Sequence, residues 1–574
     1  MPDPVFTIKP KTLVETLVAP SSAHQYDDGA WFLDFGRSAF GTLIVPGNGR
    51  VTVHLGETLT SEGRVDRAPP GKIRYRRIEQ DLATAGSRLI IPPDERNTGP
   101  AAILMPPEIG EVLPFRYAEI EGVPDLDIQA VRQVFVHYPF DDNAAHFESS
   151  DDALNAVWEL CKYTIKATTF CGVYVDGDRE RIAYEGDAYV NQLGHYCVDQ
   201  EYALARYTHE YLLRFSTWPT DWQLVSVMMA WEDYCYTGDA QSLEAFYDVL
   251  KAKTLIGLAR EDGLISSDDP RCDAAFERTL NLWHERYIFG HGLRDLVDWP
   301  PGSFTTGGTG ERDNHEMLPI NTVVNAYHAY AVGLMGNIAR ALGKTEDAVH
   351  FEEQRQRVLA TLNQLLWDND RGVYVDGEGS THASLHSNAF MLAFDLVPPE
   401  RLASVVMFVK SRGMACSVYG AQFLLEGLYK AGEADAALSL MTTTDERGWM
   451  NMIASGSTMT WEAWDWKYKN NLDWNHAWGA APANIIPRCL MGVQPLEPGC
   501  HRMGIRPQPG SLERAAMRHP TPLGSLCVSF EQRSGEPFRL LVEVPQGMTA
   551  LVTLPTGEEF TAKGAGSHQF QSAV

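Results

Sequence analysis

The chain has 574 residues, 44% hydrophobic and 21% charged, with a formal net charge of −27. That is material for a large core and, at about 100–200 residues per domain, for about three domains. Clustered Lys and Arg for a phosphate backbone are lacking, and no apolar run approaches ~20 residues, so neither nucleic acid nor a membrane is an expected partner.

Residues 27–140 carry short alternating runs broken by Gly and Pro: WFLDFGRSAFGTLIVPG, VTVHLGETL, FRYAEIEG and VRQVFVHYPF. These read as strands of a β-sandwich, and an N-terminal domain is expected over 1–148. The pattern changes at SSDDALNAVWELCKYTIKATTF, where Ser and Asp stand as N-caps before helical apolar spacing. Helical segments follow at 201–215, 222–238, 242–260, 322–343 and 346–367, many with Gly close behind. No fixed-period repeat runs through them, so an α-barrel over 149–494 fits better than a solenoid. After residue 495, MGIRPQPG, LCVSFEQRSG, FRLLVEVPQG and TALVTLPTG are again strands, giving a C-terminal β-sandwich over 495–574. The expected fold class is mainly α: a helical barrel flanked by two β-domains.

The nine cysteines are scattered without a CxxC pair, which indicates neither a zinc site nor a disulfide scaffold but reduced thiols. No metal and no cofactor is expected. The opening MPDPVFTIKPKTLVETLVAP has no basic start followed by an apolar run, so a cytoplasmic location is the expectation. The oligomeric state is left open.

Two segments carry carboxylates in settings suited to chemistry. Residues 176–187, DGDRERIAYEGD, hold five carboxylates and two arginines between two helices. Such a cluster is ordinarily a solvated loop with Asp-Gly turns. Residues 456–465, GSTMTWEAWD, set Glu462 and Asp465 among Trp461, Trp464 and Trp466. The plain alternative there is a Trp-rich packing segment. Together the two segments supply the pair that glycosidic cleavage needs: an acid to protonate the leaving oxygen and a second carboxylate to act on a water or on the anomeric carbon. At Glu180, Arg179 and Arg181 favour the anion, whereas Asp176, Asp178 and Asp187 favour the protonated form. Trp222 and Trp299 lie at helix ends and are candidates for pocket walls, with Asp298 beside Trp299 as a candidate hydroxyl ligand. The Gly- and Thr-rich stretch 300–312 is a candidate lid or a plain connection. His291 and His315 read as surface or packing histidines.

At these residues the sequence resembles the α-L-rhamnosidases of glycoside hydrolase family 78. WFLDFGRSAFG, HLGETLTSEG, FRYAEIEG, FESSDDALNAVW, SGSTMTWEAWD, NLDWNHAWGA and MGIRPQPG follow in that family's order over roughly residues 30–560. The resemblance implies an (α/α)6 barrel flanked by β-sandwiches and inverting hydrolysis of a terminal α-L-rhamnoside. It implies Glu180 as general acid, since Arg181, Tyr184, Gly186 and Asp187 follow at the expected spacings, and Glu462 as general base. Asp176 and Asp187 are implied as sugar-hydroxyl ligands and His476 as the residue that orients the sugar or the water. Arg179, Arg181, Tyr184, Trp222, Asp298, Trp299 and Trp461 complete the expected binding set, and the expected partner is a small or oligosaccharide glycoside. Two departures lie at the sugar. The DGDRER loop is shorter than the family's usual motif, and Tyr184 stands where Trp is common. They leave open a different terminal sugar on the same fold: another 6-deoxy sugar, a uronide or an arabinoside. A non-catalytic sugar-binding protein would need neither Glu180 nor Glu462, and a lyase would need a Tyr or His base beside a neutralised uronate.

Overall fold

The computed structural model describes residues 6–83, 87–123, 125–290, 292–302 and 310–573. The N-terminal region is one antiparallel eight-stranded sheet. Its centre is the long strand Trp31–Val45, paired with Leu113–Glu121 on one side and Arg132–His137 on the other. The register breaks between Asp34 and Ala39, a bulge that bends the strand. The sheet curls around Leu33, Leu43, Val53, Phe115 and Ile120, all fully buried.

The helical region follows from two kinds of helix. Thr345–Leu365 buries only four residues, as an outer helix does. Glu185–Val198 is buried on every side, so it must be enclosed by other helices. Asp151 caps the first helix, Asp152–Ala167, by accepting from the amides of Ala153 and Leu154. Asn321 caps Thr322–Ala341 in the same way. Among the described residues the inner helices are Glu185–Val198, Thr220–Thr237, Thr322–Ala341, Leu385–Ala393, Gly420–Lys430 and Pro482–Ile485. Each touches the next, and the last touches the first, so the ring closes. Outer helices such as Asp152–Ala167, Ala203–Arg214, Pro399–Arg412 and Ala434–Thr442 alternate with them along the chain. This is the (α/α)6 arrangement of six hairpins. None of the described helices is long and apolar enough to cross a membrane.

The C-terminal region stacks a four-stranded sheet on a five-stranded one. Arg514–His519 alternates exposed and buried residues, as a strand with one face on a core must. The strand His146–Ser149, which leads into the barrel, pairs with Arg514–His519 and so belongs to this C-terminal sheet. All nine cysteines are free thiols, six of them buried.

The N-terminal sheet is seated on the loops at one end of the barrel. The Ser38 amide donates to Thr458 Oγ1 (2.8 Å), Lys72 N–H to the Leu472 carbonyl (2.8 Å) and Ile103 N–H to the Arg181 carbonyl (2.8 Å). These loops are the ones that carry Glu180 and Glu462.

Candidate active site

The acid-rich loop follows the first helix and ends at Glu185–Val198. It is closed at its base by Asp176. The Asp176 amide donates to the Ile182 carbonyl (2.9 Å), and Asp176 Oδ1 accepts from the Ile182 amide (2.9 Å). Between these ties the chain doubles back, with Arg181 at φ 54° and Gly177 at φ 116°. Gly177 is required: a Cβ there would lie 2.8 Å from the Asn475 carbonyl oxygen and 3.0 Å from Asp473 Oδ2. The doubling sends neighbouring side chains opposite ways. Asp178 and Arg181 turn back toward the N-terminal sheet. Asp178 accepts from Arg181 Nε and Nη2 (3.1 and 2.8 Å), from Asn97 (3.2 Å) and from Arg74. Arg179 and Glu180 turn the other way, into a cavity.

The second segment is a pair of antiparallel runs. The Glu462 amide donates to the Asp473 carbonyl (3.2 Å), and the His476 amide to the Thr460 carbonyl (2.9 Å). The pairing sets Glu462, Lys469, Asp473 and His476 on one side. Trp478 Nε1 fixes the strand by donating to the Glu462 carbonyl (3.0 Å).

The two segments meet at a cavity of about 320 Å³ lined by Asp176, Arg179, Glu180, Tyr184, Asp187, Trp218, Trp222, Leu296, Trp299, Glu462, Lys469, Asn471, His476 and Trp478. Larger hollows lie in the C-terminal sandwich, beside the first helix and along the outer helix Thr345–Leu365. None of the three brings together a carboxylate pair and an aromatic wall as this cavity does. Its aromatic side is continuous: Tyr184 meets Trp222 edge-on at 5.6 Å, Trp222 meets Tyr419 at 6.1 Å, and Tyr419 stacks on Trp478 at 5.5 Å. Gly186 permits this, because a Cβ there would sit 2.5 Å from the Trp222 ring.

One guanidinium links the two glutamates. Arg179 Nη1 donates to Glu180 Oε1 (2.8 Å), and Arg179 Nη2 to Glu462 Oε1 (2.6 Å). The glutamates differ in setting. The Glu180 side chain is 33% exposed and takes a second bond from the Tyr184 hydroxyl (3.0 Å). The Glu462 side chain is 2% exposed, and its Oε1 also meets Lys469 Nζ at 3.0 Å. Burial alone would lift the Glu462 carboxyl, but Arg179, Lys469 and His476 outweigh it and hold it below the usual range. His476 lies between two carboxylates, Asp187 through Nε2 (2.9 Å) and Asp473 through Nδ1 (3.2 Å). Burial pulls its imidazole down, yet Asp473 and Asp187 prevail and keep it protonated well above its ordinary range. Burial, reinforced by Glu180, lifts the Asp176 carboxyl well above the carboxylate range against the pull of Arg179.

Glu462, Asp473 and His476 have the chemistry of metal ligands and lie within 4.8 Å of one another. Both ring nitrogens of His476 are already engaged, and Arg179 and Lys469 bring two positive charges to Glu462. A further cation is disfavoured there.

Of the expected site residues, Asp176, Arg179, Glu180, Tyr184, Asp187, Trp222, Trp299, Glu462 and His476 line the cavity. Three expected ligands do not. Arg181 is 1% exposed and spent on Asp178, Glu111 and the face of Phe170. Asp298 is fully buried behind the wall, where it accepts from His386 (2.7 Å), the Ser417 amide (2.9 Å), the Trp299 amide (2.9 Å) and the Ser417 hydroxyl. It orients Trp299 and has no lone pair to spare for a sugar. Trp461 is buried, stacked on Trp474 at 4.8 Å. Trp218, Leu296, Lys469, Asn471 and Trp478 join the lining without having been singled out as site residues in the sequence. His315 is a packing histidine, bonded to Ser384 (2.9 Å) and Asn321 (3.1 Å). His291 and most of the expected lid, residues 303–309, lie outside the described residues.

Comparison with known proteins identifies the family and the fold. Residues 142–490 match the family model for the bacterial alpha-L-rhamnosidase 6 hairpin glycosidase domain, and residues 492–569 match that for the bacterial alpha-L-rhamnosidase C-terminal domain. An alpha-L-rhamnosidase of Alteromonas sp. (strain LOR) is 23% identical over 517 residues, covering 80% of this chain and 52% of that protein. The chain thus spans about half the length of this curated relative. Two solved structures share the fold. The alpha-L-rhamnosidase from Dictyoglumus thermophilum has a TM-score of 0.75 at 17% identity, covering 97% of this chain and 63% of that one. The Streptomyces avermitilis alpha-L-rhamnosidase, solved with L-rhamnose, has a TM-score of 0.73 at 18% identity, covering 99% and 54%. With its helical barrel matched from end to end, the chain belongs to the bacterial α-L-rhamnosidase six-hairpin glycosidase family.

Proposed function

We propose that the protein is an α-L-rhamnosidase that removes terminal α-L-rhamnose with inversion, Glu180 acting as general acid and Glu462 as general base. The observation that carries this reading is the asymmetry of the two glutamates on Arg179. Glu462 is sealed at 2% exposure and held as an anion by two cations, as a base must be before reaction. Glu180 is one-third exposed, on the solvent side, where an aglycone leaves and its oxygen needs a proton. Both glutamates contact one guanidinium, at 2.8 and 2.6 Å, which holds the two carboxylates on one cavity as a pair.

The ring of a terminal sugar is placed against the Trp218, Trp222 and Trp299 wall, its hydroxyls toward Asp176, Asp187 and His476. In the reaction Glu462 takes a proton from a water as that water attacks the anomeric carbon. The glycosidic bond breaks, and Glu180 gives its proton to the departing oxygen. Arg179 and Lys469 hold Glu462 in place for this step.

The test is hydrolysis of a panel of chromogenic glycosides by the wild type, Glu180→Gln and Glu462→Gln. Release from the α-L-rhamnoside, reduced ~10²–10⁴-fold in each variant, is expected. Near-wild-type turnover in either variant removes that residue's role. Release from a different terminal glycoside moves the reading to that sugar on the same two carboxylates.

A further inference from the structure

Lys469 lies in WKYKNNLDW, a turn with two lysines and two asparagines. In the structure its side chain is 2% exposed. Its ammonium reaches Glu462 Oε1 at 3.0 Å and the Asn471 side-chain oxygen at 2.6 Å. A long cation sealed beside a carboxylate loses its water and its rotamer freedom, so it is held there by its partners. The turn is fixed from outside the barrel. The Lys72 amide donates to the Leu472 carbonyl (2.8 Å), and Gly71 packs so close that a Cβ would sit 2.7 Å from that oxygen.

The two cations meet Glu462 on one atom. Arg179 and Lys469 both bond Oε1, while Oε2 is buried and has no hydrogen-bond partner. We propose that Lys469 is a positioning residue that pins Glu462 at Oε1 together with Arg179 and so holds the carboxylate in place, as the anion, for the attacking water. This rests on Glu462 being the general base. In this role Lys469, which also lines the cavity, acts through Glu462.

The charged groups facing Glu462 come from several elements. Arg179 comes from the acid-rich loop, Asp187 from the helix Glu185–Val198, Glu311 from the connection after Trp299, and Lys469 and His476 from its own hairpin. Removing Lys469 leaves Arg179 and His476 as the favourable ones, opposed by Asp187, Glu311 and the hairpin's own Asp473, which lies within 4.8 Å. The acidic limb of kcat/KM, which reports ionisation of the base, must then move to higher pH. An opposite charge at this range lowers a carboxyl by roughly one to three pH units, so a displacement of about one unit or more is the expected reading.

The experiment measures pH profiles of kcat and KM for the wild type, Lys469→Met, Lys469→Gln and Lys469→Arg, with Glu462→Gln alongside. The expected result has four parts: the acidic limb moves up in Lys469→Met and Lys469→Gln; kcat falls about tenfold or more at the optimum; KM stays within about threefold; and Lys469→Arg restores the limb. If Glu462→Gln is inactive and the limb stays put in the neutral variants, Lys469 only fills space and the proposal is overturned. If Glu462→Gln keeps wild-type activity, the base assignment falls, and the role of Lys469 falls with it. Should Lys469→Met fail to fold, Lys469→Gln, which keeps a polar head, carries the same readout.

Discussion

Glu57 sits where the N-terminal sheet meets both segments of the candidate site, and its replacement by glutamine tests how that junction is held. The side chain is 4% exposed. Its Oε2 accepts from the Arg74 amide (2.8 Å), and its Oε1 accepts from Asn475 Nδ2 (3.4 Å). Asn475 in turn accepts from the Asp178 amide (2.9 Å), so Glu57 is two bonds from the acid-rich loop. Burial pushes its carboxyl from 4.5 up to about 8, against the pull of those hydrogen bonds. The folded protein therefore keeps this proton between pH 4.5 and about 8, while the unfolded chain has released it. In that window the unfolded state binds fewer protons, so stability falls as pH rises. The full displacement corresponds to about 5 kcal/mol, an upper figure reached only above about pH 8. The amide introduced by Glu57→Gln has no proton to lose. In thermal unfolding at fixed scan rate, the melting temperature of Glu57→Gln relative to wild type should climb from about pH 5 to about pH 8, by several degrees. An identical difference at both pH values would refute the idea that a neutral carboxyl is held at this junction.

Arg179→Met should lower kcat/KM by ~10²-fold or more, because it frees both glutamates at once. Its thermal penalty should be largest at neutral pH and shrink as pH falls through the depressed carboxyl of Glu462, below which wild type also loses that stabilisation; a pH-independent penalty would contradict this. Arg181→Met should behave differently, costing roughly 1–3 kcal/mol of stability because Asp178 keeps Arg74 while losing its second cation and Glu111 loses its partner, with KM of the folded fraction little changed. Asp473→Asn should let His476 titrate closer to its ordinary range in a histidine NMR titration, since Asp473 is the leading group that keeps it charged; an unmoved titration would assign that role to Asp187 alone. Gly186→Ala should push the Trp222 ring, raising KM and costing about 1–3 kcal/mol in stability; an unchanged KM would remove Trp222 from the sugar wall.

The helices were legible because their apolar spacing and caps are local signals: Asp151 and the Gly238 C-cap act within one turn of chain. The closed ring was carried by resemblance, since nothing local says that Glu185–Val198 is enclosed. The strand His146–Ser149 was not legible as part of the C-terminal sheet, because its partner Arg514–His519 is distant in sequence. At the site, a carboxylate among tryptophans pointed to Glu462, and a charge cluster pointed to residues 176–187. Nearness in sequence then misled. Arg179 and Arg181 are equivalent as letters, but the turn at Gly177 sends one into the cavity and the other behind it. Asp298 stands beside Trp299 in sequence, yet His386 and Ser417, far along the chain, consume its oxygens. Lys469 escaped notice because its neighbours are polar. The aromatic residues on both sides of that turn, Trp466 and Trp474, were the one available sign that it was not simply exposed.

In the proposed reaction two carboxylates on opposite sides of a terminal α-L-rhamnoside act with an intervening water. Proton NMR of the first turnover products from an α-L-rhamnoside separates this from retention. Inversion predicts β-L-rhamnose at the earliest times, relaxing to the equilibrium mixture, with the signal absent in Glu462→Gln. The α-anomer appearing first would establish retention, and no released rhamnose at all would contradict the assignment of the sugar.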